Sequence, residues 1–210
     1  MGTRLTAPER RAAILRAAMD LFGRRGFAGV TTRELAGASG ISEAMLFRHF
    51  PHKEALYRAI LERHLGEMEK AIPLAGLAAS REPPGSFFGG IADTILRRMD
   101  ADPTLLRLMF YSALEGHPLA REFERARARG LREAISVFLR RGIRRGEFRR
   151  VDPVLASRAF VWLVVGFGIS RALFQEPGAR AIPRPVLVRE LVDLFLRGLR
   201  PDAARRRASP

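Results

Sequence analysis

An all-α fold of about nine helices is predicted for this chain of 210 residues by three features of its sequence. Apolar side chains recur at helical spacing through most of the chain, and period-two strand patterns are nearly absent. Pro and Gly stand at the ends of the periodic stretches, as at Gly40, Pro51, Pro103, Gly116 and Pro153. The missing N–H of proline and the free φ of glycine stop a helix, whereas at Pro153 the proline begins one. Apolar residues make up 47% of the chain, a composition of packed rather than disordered protein.

The first helix is expected from about Pro8 to Arg24, where Ile14, Ala17, Ala18, Leu21 and Phe22 form one stripe. Two short helices follow, and a fourth begins near Lys53 and continues through Ile60, Leu61, Leu65 and Met68 to about Ile72. The Ala-, Gly- and Pro-rich segment 73–86 reads as a domain boundary. Beyond it, Phe87, Phe88, Ile91, Ile95, Leu96 and Met99 mark a fifth helix closed by Asp102-Pro103. Leu105, Leu106, Met109, Phe110 and Leu114 mark a sixth that ends near Gly116. A long seventh is expected from about Pro118 to Arg145, and an eighth from Asp152-Pro153 to about Phe174. A loop over 177–185 then leads to a ninth helix, about Val186 to Leu199, and residues 201–210 read as a frayed tail.

The most specific stretch is Thr31 to Leu56. Thr31 and Glu34 have the spacing of a capping box. Gly40 suits the left-handed residue that closes a helix, with Ile41 as its apolar contact. Ser42 is a good N-cap for the next helix, and Glu43 in its first turn complements the dipole. Pro51 ends that helix near Phe50. Two short helices set at a steep angle across a Gly turn are a shape that enters the major groove of DNA.

These residues resemble the DNA-binding domain of TetR-type transcriptional repressors. The likeness rests on Thr31, Gly40 and Ile41, then Phe47, Phe50, Pro51, Lys53, Glu54 and Leu56, with Phe22, Gly26 and Phe27 upstream. It covers roughly residues 8–65, and the helix order extends it in outline over the rest. Phe47 stands where such proteins usually carry Tyr, Glu43 where a basic residue is common, and Met45 where Thr is common.

The resemblance implies a DNA-binding domain over 1–72, a helical effector-binding and dimerisation domain over 73–200 and a flexible tail over 201–210. It implies a ligand-responsive homodimeric repressor of a palindromic double-stranded operator, with no cofactor. Glu43, Ala44 and Met45 are then the candidates to face base edges, Phe47 to meet a thymine methyl or a sugar, and Ser42 to lie at the DNA with them. Thr31, Thr32, Arg33, Arg48, His49 and Lys53 are candidates for phosphate contact. A small apolar, aromatic or acyl effector would lie against Phe88, Met109, Phe110, Tyr111, Trp162, Phe167 and Phe174. A subunit interface would use Phe160, Val164, Gly168, Leu191, Leu194 and Phe195.

The formal charge of +15 permits nucleic-acid binding without locating it, because residues 1–70 carry a net +4 and residues 71–210 a net +11. Lys53 and Lys70 are the only two lysines, so the charge is carried by arginine. Zero cysteines exclude disulfides and thiolate chemistry, and the four histidines fall at no metal-ligand spacing. No enzyme motif is recognisable, which points away from catalysis. The longest apolar run, Ala159 to Ser170, is too short to span a bilayer. The N-terminus has no apolar leader, so a cytoplasmic location without membrane attachment is expected. Two other readings stay open: a DNA-binding protein of this fold without an effector, and a helical small-molecule binder or enzyme that does not bind DNA.

Overall fold

The computed structural model describes residues 6–201, and these are all-α. In chain order the helices are α1 (Ala7–Arg25), α2 (Thr32–Ala38), α3 (Glu43–His49), α4 (Lys53–Ala71), α5 (Leu74–Ala79) and α6 (Pro84–Ala101). There follow α7 (Thr104–Leu114), α8 (Pro118–Phe123), α9 (Arg129–Arg144), α10 (Pro153–Ala172), α11 (Pro177–Ala181) and α12 (Arg184–Arg197). The tail expected over 201–210 falls almost wholly on 202–210, outside the described residues.

Three short elements depart from the expected layout. The segment read as a boundary loop contains α5, whose Ala- and Leu-rich sequence has high helix propensity and whose Leu74 and Leu77 pack into a core. The long seventh helix is interrupted by a π-helical turn, Glu124–Ala128, between α8 and α9. The loop over 177–185 contains α11, started by Pro177 at its first position and tied down by Arg171, whose Nη1 donates to the carbonyls of Ala179 and Ile182 at 2.7 Å each.

Packing divides the chain into two compact units, and the division is not the one expected at residue 73. The first unit takes the chain up to Glu67 together with Thr104–Ala126, and the second takes Met68–Pro103 with Arg127 onward. The reason is α7, which lies along α1. A Cβ on Gly23 would press on Thr104 Cγ2 at 2.5 Å, so only glycine allows that approach. Leu108 of α7 is fully buried with Ile14, Ala18, Phe22, Leu35, Leu46, Phe50, Leu56, Tyr57 and Ile60 in the core of this unit.

The second unit is built on aromatic packing. Phe87 stacks on Phe138 with ring centroids 3.7 Å apart, and Phe88 meets Phe160 and Phe195 edge-on at 4.7 and 5.0 Å. Around them α6, α9, α10 and α12 bury Ile91, Leu96, Ile135, Leu139, Val164, Leu187 and Leu191. Asp93 of α6 pairs with Arg184 at 2.9 Å, and Asp100 takes Arg171 of α10 through two 3.1 Å bonds, fixing α6 at two levels.

The membrane expectation needs correction on one point. The apolar run continues as a helix beyond Ala159 and Ser170, so α10 has 20 residues and a mean hydropathy of 1.6 over its best 18-residue window. By length and composition that is enough to cross a bilayer. Within this structure one face of α10 is packed in the core of its unit, through Phe160, Val164 and Gly168, and Arg158 and Arg171 lie within it.

Candidate nucleic-acid interface

The turn between α2 and α3 follows from its residues. Thr31 accepts from the Glu34 amide at 3.3 Å while Glu34 accepts from the Thr31 amide at 2.8 Å, completing the capping box. Those bonds, with Arg25 at 2.6 Å, hold the Glu34 pKa down to about 2. Gly40 adopts φ +65°, and Ile41 N–H reaches the Ala36 carbonyl at 3.0 Å, a Schellman closure. Ser42 then caps α3 through the Met45 amide at 3.2 Å. At its far end the carbonyl of His49 accepts from Arg11 at 2.8 Å, and the same guanidinium lies 4.1 Å from the centroid of Phe50. A seven-residue helix is marginal alone, so these bonds and the burial of Leu46 and Phe50 set its place.

Of the candidate DNA contacts, Ala44, Phe47 and Arg48 share the outer face of α3, and Phe47 is 42% exposed. Met45 and His49 are half-buried beside that face, and Ser42, Thr31 and Arg33 are exposed. Glu43 and Thr32 are joined, the hydroxyl donating to the carboxylate at 2.8 Å, so the first turns of the two helices are coupled. Lys53 is turned toward the backbone. Its Nζ donates to the carbonyls of Phe27 and Val30 at 2.9 Å each and sits 4.1 Å from the Phe27 ring centroid. It pins the turn between α1 and α2, a task its position after Pro51 does not reveal.

The same turn is gripped by residues whose part in it sequence reasoning missed. Glu115, just past α7, accepts from the amides of Phe27 and Ala28 at 3.1 and 3.3 Å. Tyr111 donates to the Arg24 carbonyl at 2.9 Å. The His117 ring lies 4.5 Å from Phe27 and 4.9 Å from Tyr57. Burial pushes the His117 pKa down, with Lys53 acting the same way, against the pull of Glu115, Glu54 and Glu122. Burial likewise pushes the Tyr57 phenol up. Gly26, at φ +72°, was the one local signal of a special backbone here.

The seven side chains expected to surround an effector are divided between the two units. Met109, Phe110 and Tyr111 lie on α7 in the first unit, where Tyr111 is committed to Arg24. Phe88 is fully buried among other aromatics of the second unit, Phe167 packs on that core, and Trp162 and Phe174 are 63% and 77% exposed. The second unit has a different cavity, of about 330 Å³, bounded by Met99, Asp100, Pro103, Arg171, Ala172, Gln175 and Arg180. Gln175 there holds a left-handed φ of +51°.

The interface set also needs correction. Phe160, Val164, Gly168 and Leu191 are buried in the chain's own core, and Phe195 is packed on Phe88 and Phe160. Gly168 matters inside the chain, since a Cβ there would run into Met99. Leu194 is exposed, and the outward face of α10 is marked instead by Leu155 and Trp162, at 66% and 63%. An α10 apolar on every side gives periodicity nothing with which to choose between its faces.

Comparison with known proteins accords with this architecture. The sequence pattern described as bacterial regulatory proteins, tetR family, matches residues 14–60. That of the AefR-like transcriptional repressor C-terminal domain matches residues 93–199, about half of the chain. RutR, an HTH-type transcriptional regulator of Escherichia coli (strain K12), is 31% identical over 144 residues, covering 67% of this chain and 65% of RutR. The aligned part is thus less than two thirds of that relative. Among solved structures, a transcriptional regulator from Pseudomonas aeruginosa PAO1 superposes with a TM-score of 0.74 at 20% identity, over 97% of this chain and 96% of that one. Bacillus subtilis FadR, solved in complex with stearoyl-CoA, gives 0.69 at 14% identity, over 90% and 98%. At such identities the likeness is one of fold. The family patterns go further, and by them the chain belongs to the TetR family of bacterial regulatory proteins, whose members are transcriptional regulators rather than enzymes.

Proposed function

We propose that the chain is a homodimeric transcriptional repressor that reads a palindromic operator with α3 and leaves it when a small effector binds. The observation that carries the reading is the outer face of α3, where Ala44, Phe47 and Arg48 stand exposed on a helix capped at both ends. Phe47 suits a thymine methyl and Arg48 a phosphate. Selection from a random duplex pool at moderate salt tests it, with enrichment of an inverted repeat as the expected result. Retention of no sequence would overturn it. In the enriched duplex, Phe47→Ala relaxes preference at one base pair, whereas Arg48→Ala weakens all duplexes alike and lowers the salt slope by about one.

One recognition helix reads few bases, and two-fold symmetry places a second one at a half-site about 34–36 Å away. The exposed face of α10 and α12, with Leu155, Trp162 and Leu194, suits burial against a second copy. Trp162→Glu is expected to raise the dimer dissociation constant by roughly 30-fold or more, read by analytical ultracentrifugation on protein of unchanged helicity. An unchanged dimer would place the interface elsewhere.

The effector we favour is a small molecule with an apolar, aromatic or acyl body. FadR, a protein of this fold, binds an acyl-CoA. The cavity lined by Asp100, Arg171, Gln175 and Arg180 is polar and suits a head group rather than a chain. Release then follows as a population shift, the effector binding better to a conformer that fits the operator worse.

A further inference from the structure

We propose that Glu115 is a positioning residue for DNA binding, its carboxylate filling a nest of backbone amides in the turn that feeds α2. The inference rests on the DNA-binding reading above and adds a residue outside the helix-turn-helix to it.

The turn between α1 and α2 exposes unsatisfied groups of both signs, and α7 meets each with its complement. The Arg24 carbonyl, in the last turn of α1, receives the Tyr111 hydroxyl at 2.9 Å. The successive amides of Phe27 and Ala28 follow Gly26, which holds φ +72°, and the Glu115 carboxylate takes both, at 3.1 and 3.3 Å. A side chain at Gly26 would collide with that same carboxylate, so the glycine and the glutamate fit as a pair. Glu115 is not on a fraying end. Gly116 at φ +65° reverses the chain, and the His117 amide returns to the Ser112 carbonyl at 2.8 Å. The His117 ring then covers Phe27, whose other contacts include the Lys53 ammonium.

The turn is therefore bracketed by Lys53 through two carbonyls and by Glu115 through two amides. Thr31 follows directly and caps α2, and α2 is bonded to α3 through Thr32 and Glu43. A carboxylate in a protein that binds phosphates is an electrostatic handicap. Its removal separates the two roles by sign: simple charge relief tightens DNA binding, while loss of a positioning contact weakens binding to the operator.

The test compares Glu115→Gln and Glu115→Ala with Glu122→Gln, which removes the same charge from the half-buried partner of Arg58, a carboxylate bonded to that guanidinium rather than to the amides of the turn. In the DNA-free protein, amide exchange at Phe27 and Ala28 is expected to quicken roughly tenfold in both Glu115 variants. Affinity for the selected duplex is expected to fall roughly tenfold, while an unrelated duplex is held as well as, or better than, by the parent. Glu122→Gln should leave exchange unchanged and bind both duplexes at least as tightly. Unchanged exchange at Phe27 and Ala28, or operator affinity equal to that of Glu122→Gln, would overturn the proposal. If Glu115→Ala loses helicity, the isosteric Glu115→Gln decides. If the parent protein retains no duplex, the DNA-binding reading fails by itself, and the exchange measurement still reports whether Glu115 holds the turn.

Discussion

Replacing Phe88 with Ala is expected to cost about 3–5 kcal/mol of unfolding free energy, the range for a large side chain removed from a rigid core. Phe88 has no exposed surface and touches four aromatic rings: Phe87, Phe138, Phe160 and Phe195, at 5.0, 5.7, 4.7 and 5.0 Å between centroids. Those rings come from α6, α9, α10 and α12, so no single neighbour can relax into the space without breaking a second contact. Urea unfolding followed by far-UV circular dichroism checks it, with the midpoint falling and the slope unchanged. A loss below about 1 kcal/mol would mean the cluster repacks freely, against the edge-on geometry. The same variant also separates the two roles of an aromatic side chain, since a residue lining an effector site would lower effector affinity without so large a loss of stability.

The second large effect is expected at Lys53. Lys53→Met keeps the stem and removes the ammonium, leaving the carbonyls of Phe27 and Val30 without their donor and the Phe27 ring without its cation. Two charge-assisted bonds at roughly 1.5–3 kcal/mol each give a loss of about 3 kcal/mol once water replaces part of them. Operator affinity falls with it, but the slope of log affinity against log salt stays as in the parent. A slope reduced by about one would mark Lys53 as a phosphate contact instead, the role its place in the motif implies.

Lys53 shows where sequence reasoning reaches and where it stops. The Thr31–Glu34 capping box, the Gly40 closure and the Ser42 cap depend on residues within a few positions of one another, so their chemistry can be read directly, and each is found. The partners of Lys53 lie 23 and 26 positions away, and those of Glu115 lie 87 and 88 away. Nothing in the local pattern selects between a solvated charge and one bound to distant backbone. The grouping of α7 with α1 is hidden for the same reason, because Gly23 and Thr104 meet only after folding. The α10 register was hidden differently. Its Phe160 and Trp162 are both large aromatic residues on an apolar helix, yet one has no exposed surface and the other is 63% exposed. A helix with no polar face carries no phase to read.

The inward-turned ammonium of Lys53 has a consequence for the protein's outer charge. Lys70 is the only other lysine among 37 basic residues, so nearly all the positive charge met by a solvent-side partner is guanidinium. Guanidinium stays protonated to above about pH 12. Neither an alkaline shift nor amine-directed acylation can therefore strip this surface of its cations, and among the side chains such acylation has only Lys53 and Lys70 on which to act. At Lys53 an acyl group would strike the turn between α1 and α2 rather than the outer charge.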